Sequence, residues 1–64
     1  MKNITIKYHD GDDIRRNIQG LLVDKNINFG ELESPDQVAD GVTEVWVAWC
    51  KNGNRVAEIE VEEV

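Results

Sequence analysis

Ile4, Ile6 and Tyr8 alternate with Asn3, Thr5 and Lys7. A period of two predicts a half-buried strand over Lys2–Tyr8, with the three larger apolar side chains facing a core. His9-Asp10-Gly11-Asp12-Asp13 breaks the pattern, and from Ile14 the period lengthens. Ile14, Ile18, Leu21, Leu22 and the aliphatic stem of Lys25 fall on one face of a helix reaching about Lys25, with Arg15, Arg16 and Gln19 outward. Asp10 or Asp12 is placed to cap its N-terminus. Asn26 suits a left-handed stop. Gly20 within the helix costs ~1 kcal/mol relative to Ala.

Ile27-Asn28-Phe29 reads as an extended connector that brings Ile27 or Phe29 onto the core, and Gly30 ends it. In Ser34-Pro35-Asp36-Gln37 a Ser stands at the N-cap, Pro at the first helical position and Gln at the third. That order predicts a helix of one or two turns from Pro35 to Asp40. Thr43–Cys50 and Arg55–Glu63 are two strands around Lys51-Asn52-Gly53-Asn54.

The length of that loop decides which residues share a face. A two-residue turn at Asn52-Gly53 pairs Trp46 with Ile59 and Val45 with Glu60. A three-residue loop, with Gly53 left-handed, pairs Val47 with Ala57 and Val45 with Ile59. The second register gathers Val45, Val47, Trp49, Ala57, Ile59 and Val61 on one face, so burial is expected to select it. The opposite face then carries Glu44, Trp46, Val56, Glu58, Glu60 and Glu62.

The fold class expected is α+β, one domain over residues 1–64, in the order β-α-(short α)-β-β. One helix packs on one face of a three-stranded, mainly antiparallel sheet. A right-handed crossover sets the first strand parallel to the second if they are neighbours. The hairpin equally allows the third strand to lie in the middle.

Charge narrows the range of partners. Residues 1–30 sum to +1 and residues 31–64 to −7, so the acidity belongs to the second half. Each nucleic-acid phosphate contact wants a Lys or Arg, which argues against direct nucleic-acid binding. An anionic membrane is disfavoured for the same reason. A basic protein surface is the complementary partner. The N-terminus shows no apolar signal-peptide core, and the longest apolar run, Val45–Cys50, is far short of a membrane span. One Cys allows no internal disulfide. A reducing, cytoplasmic setting is the expectation.

Little catalytic equipment is present. The Asp10–Asp13 segment lacks the downstream Glu of a calcium loop and reads as a turn and helix cap. His9 has no second His and Cys50 no second Cys for zinc. One His, one Cys and a few hydroxyls leave little from which to build a nucleophilic site. No cofactor, metal or catalytic residue is expected, and the chain reads as a non-enzyme. Trp46, among Glu44, Val56, Glu58, Glu60 and Glu62, is the expected anchor of a protein interface.

In size, acidity and want of catalytic groups the chain resembles the small inhibitors that phages and mobile elements encode, anti-CRISPR and anti-restriction proteins among them. That resemblance is one of composition. It implies an acidic protein that occludes a basic, nucleic-acid-receiving groove. The rival expectation is a small homodimeric structural or assembly protein that buries its open sheet face against a second copy, since dimerisation compensates for a small core.

Overall fold

The computed structural model describes residues 1–35 and 44–64. Strand β1 spans Lys2–Tyr8, helix α1 Ile14–Asp24, β2 Glu31–Glu33, β3 Glu44–Trp49 and β4 Arg55–Glu63. The sheet is four-stranded, in the order β1-β4-β3-β2. β4 is therefore interior, parallel to β1 on one side and antiparallel to β3 on the other. The α+β class with one packed helix holds among the described residues. The three-stranded, mainly antiparallel sheet is corrected to a four-stranded mixed one, with the last strand between the first and the third. The short helix expected over Pro35–Asp40 falls, beyond Pro35 itself, outside the described residues. No described helix is long and apolar enough to cross a membrane.

The segment before α1 is built by its aspartates. The N–H of Asp12 donates to the His9 carbonyl at 3.1 Å, and Gly11, at φ 93°, takes the turn position that demands a positive φ. The Asp12 carboxylate accepts from the His9 N–H at 2.8 Å. With Asp12 engaged in the turn, the cap falls one residue later than expected. Asp13 is extended (φ −81°, ψ 91°), and its Oδ1 accepts from the Arg16 N–H at 3.2 Å.

At the other end of α1 the expected left-handed stop is present: Asn26 has φ 58°. The Ile27 N–H reaches back to the Leu22 carbonyl at 2.9 Å, and the Asn26 N–H to that of Val23 at 3.0 Å. These are the two bonds of a Schellman motif, completed by Ile27 packing on the core cluster that holds Leu22. The chain then runs through half-buried Phe29 into β2, where Leu32 is buried between exposed Glu31 and Glu33. This strand was not expected, because an alternation of only three residues is too short to specify one. Its existence rests on pairing with β3: Glu31 opposite Trp49, Leu32 opposite Ala48, Glu33 opposite Val47.

The hairpin resolves the register. The loop has the three-residue form: the Cys50 N–H donates to the Asn54 carbonyl at 2.7 Å, the Gly53 N–H to that of Cys50 at 2.9 Å, and Gly53 has φ 91°. Yet Trp46 lies opposite Ile59 and Ala48 opposite Ala57, the pairing expected of a two-residue turn. A register shift between Ala48 and Trp49 reconciles them. Trp49 pairs with Arg55 and Ala48 with Ala57, so Val56 is the extra residue of a β-bulge. One added residue exchanges the faces of a strand. Trp46 and Ala48, not Val45, Val47 and Trp49, therefore join Ala57, Ile59 and Val61.

The core comprises Ile18, Leu22, Leu32, Trp46, Ala48, Ala57, Ile59 and Val61, with Ile4, Ile6, Tyr8, Ile14, Ile27 and Phe29 packed against it. Arg15 of α1 ties the layers together. Its guanidinium donates to the Leu32 carbonyl at 2.8 Å and lies 5.0 Å from the Trp46 ring centroid.

The Schellman geometry predicts an order of stabilities at Asn26. Asn26→Gly is expected to be neutral or slightly stabilising, and Asn26→Val to cost ~1–2 kcal/mol, because a β-branched residue is strained at positive φ. Urea unfolding of the two variants measures the difference.

Candidate protein-binding face

α1 and the core lie on one side of the sheet. Alternation along the strands assigns the other side. β3 contributes Val45, Val47 and Trp49; β4 contributes Glu58, Glu60 and Glu62; β2 contributes Glu31 and Glu33. β1 adds Asn3, Thr5 and Lys7, since Ile4, Ile6 and Tyr8 pack on the core. An apolar stripe on β3 thus runs between two carboxylate rows. Glu33, Val47 and Glu58 form one cross-strand row, and Glu31, Trp49 and Arg55 the next. Val45 is 41% exposed, large for an apolar side chain.

Along β4 the carboxylates recur every two residues, ~6.6–7 Å apart, and the β2 row stands ~9.5 Å across, two strand spacings away. Two cations stand among them: Lys7 of β1, opposite Glu62 in the ladder, and Arg55. Arg55 forms an ion pair with Glu58 at 3.3 Å, and its guanidinium lies 5.2 Å from the Trp49 ring centroid. The pair is largely open to water, so its contribution to stability is small.

The residues singled out by sequence divide into two groups. Glu58, Glu60 and Glu62 stand on the open face as expected. Val56, at the bulge, is half-buried and packs against the core cluster. Trp46 is a correction: it is 7% exposed and belongs to the core, and its indole N–H meets no acceptor among the described residues. Glu44 shares the core-side phase of Trp46 and lies near Tyr8. Partial burial, and then the carboxylates of Glu63, Glu44 and Asp10, push the Tyr8 phenol above its ordinary value of 10.0. The aromatic of the open face is instead Trp49, half-buried.

A three-residue loop without a bulge puts Val45, Val47 and Trp49 in the core; the bulge at Val56 turns them outward. Glu31 and Glu33 were missed with their strand. The only sequence signal for them is the Glu-Leu-Glu alternation itself.

Where β2 meets the hairpin loop, the face dips into an open cleft of ≈ 400 Å³, lined by Gly30, Glu31, Glu33, Trp49 and Lys51 among others. Gly30 permits this shape. A Cβ there would stand 2.7 Å from Lys51 Cγ, so only glycine lets the lysine stem lie so close. No group of three or more His, Cys, Asp or Glu among the described residues is arranged to hold a metal ion.

The chain matches no protein-family model, no curated protein and no solved structure.

The two tryptophans are expected to respond oppositely to truncation. Trp46→Ala should cost ~3–5 kcal/mol, much or all of the stability of a domain this small. Trp49→Ala should cost clearly less and leave a cooperative unfolding transition. Chemical denaturation followed by circular dichroism measures both.

Proposed function

We propose that this chain is a small non-catalytic inhibitor that lays the open face of its sheet on a basic surface of another protein. The observation that carries the reading is the arrangement on that face: Val45, Val47 and Trp49 flanked by Glu31 and Glu33 on one side and Glu58, Glu60 and Glu62 on the other. An apolar centre with a charged rim is the usual anatomy of a protein interface. A rim with more carboxylates than cations, five against Lys7 and Arg55, favours a partner of the opposite sign. Carboxylates ~6.6–7 Å apart form a regular row of negative charge, as phosphates do along a nucleic-acid strand. A Lys/Arg-lined groove that receives nucleic acid is thus the partner surface that fits best. Occlusion of such a groove is how a counter-defence protein of the anti-CRISPR or anti-restriction type would act.

A second copy is less well matched. Face-to-face pairing would bring carboxylate rows together, and like charges held in proximity cost several kcal/mol. The homodimer remains an outcome that light scattering reads directly.

The test is capture of a partner by the intact chain at about 50 mM and about 500 mM salt, which bracket weak and strong screening. Capture should fall steeply at the higher salt. Glu58→Lys with Glu60→Lys should mainly slow association, and Trp49→Ala mainly speed dissociation, by tenfold or more where the ring is a desolvated anchor (~2 kcal/mol). Capture that ignores salt and survives both variants would refute the reading.

A further inference from the structure

The cleft beside β2 deepens that reading and rests on it. We propose that it is a subsite for one arginine side chain of the protein partner, stacked on the β2 side of the Trp49 ring and paired with Glu31 and Glu33.

Three features of the face lead there. The cleft has volume for a guanidinium and its stem, at ≈ 400 Å³, with an aromatic ring and two carboxylates among its lining residues. Among the described residues neither Glu31 nor Glu33 has an ion-pair partner, whereas Glu58 has one in Arg55. Trp49 lies in the ladder between Glu31 on β2 and Arg55 on β4.

On its β4 side the ring already takes part in the same chemistry. The Arg55 guanidinium lies 5.2 Å from the ring centroid and 3.3 Å from the Glu58 carboxylate. The cleft on the β2 side offers an aromatic surface and carboxylates without the guanidinium.

The same geometry favours arginine over lysine. A planar guanidinium stacks on an indole while its N–H groups fork to carboxylates, and it is more weakly hydrated than an ammonium. The cleft's own cation, Lys51, is an exposed ammonium whose stem lies along Gly30, and among the described residues it forms no ion pair. A guanidinium entering from a partner would therefore displace water rather than an internal salt bridge.

The experiment titrates the intact, nitrogen-15-labelled protein with an acetylated arginine–glycine repeat peptide at low salt, and with its lysine counterpart. The indole N–H signals of Trp46 and Trp49 report separately. The arginine peptide should shift the Trp49 indole and the Glu31 and Glu33 amides while the Trp46 indole stays in place. It should bind more tightly than the lysine peptide. Glu31→Gln with Glu33→Gln should weaken it at least about threefold, and Trp49→Leu by a similar factor, the range of an exposed cation–π contact. The glutamine pair changes no packing, so it decides the matter if Trp49→Leu fails to fold.

Shifts confined to Glu58, Glu60 and Glu62, with affinity unchanged in the glutamine pair, would overturn the cleft and leave the acidic face as the docking surface. Equal binding of the lysine peptide would overturn the arginine assignment. No shift anywhere on the face would overturn the subsite and count against the proposed function as well.

Discussion

The phase of the β3–β4 ladder governs both sides of this sheet. With Val56 bulged out of β4, Trp46 and Ala48 turn toward α1 together with Ala57, Ile59 and Val61. Without that extra residue, a three-residue loop would bring Val45, Val47 and Trp49 inward and expose Trp46 and Ala48. The bulge therefore sets the core and, through strict alternation, the composition of the outer face. Ala48 and Ala57 lie opposite each other, fully buried. Small side chains at that point leave room for bulky neighbours such as Ile18 and Leu22 in the same core cluster.

A core this small is held by several local devices acting together. The Asp12 turn and the Asp13 cap set where α1 begins, and the Schellman motif sets where it ends. Arg15 then spans the layers, with its guanidinium on the Leu32 carbonyl and over the Trp46 ring. In this way the helix is linked to the short edge strand β2, which otherwise has only three ladder positions to hold it. β4 gains the most from the topology, since it is paired on both sides and contributes three buried residues.

The same placement concentrates charge. β2 and β4 flank β3, so carboxylates from segments more than twenty residues apart in the chain border one apolar strip. Repulsion between the rows is tolerated because both face water, where screening is strong. A partner that excluded the water would strengthen every interaction across the strip, favourable for cations and costly for anions. On the proposed reading, this contrast is what would discriminate a basic surface from an acidic one.

Local chemistry was legible from the residues alone. The alternation of Ile4, Ile6 and Tyr8 specifies a strand, and the spacing of Ile14, Ile18, Leu21 and Leu22 a helix face. Asn26 as the left-handed stop and Gly53 as the left-handed loop residue were also readable, because each depends on neighbours within a few positions. What needed the tertiary structure was relational. β2 exists only because β3 offers it a partner. The hairpin phase turned on one bulged residue, Val56, which leaves no mark in the local pattern. Glu58, Glu60 and Glu62 were placed correctly under either register, since Ile59 and Val61 face inward in both. Trp49 exchanged roles with Trp46, because a shift of one residue reverses every side chain of a strand while leaving its composition unchanged.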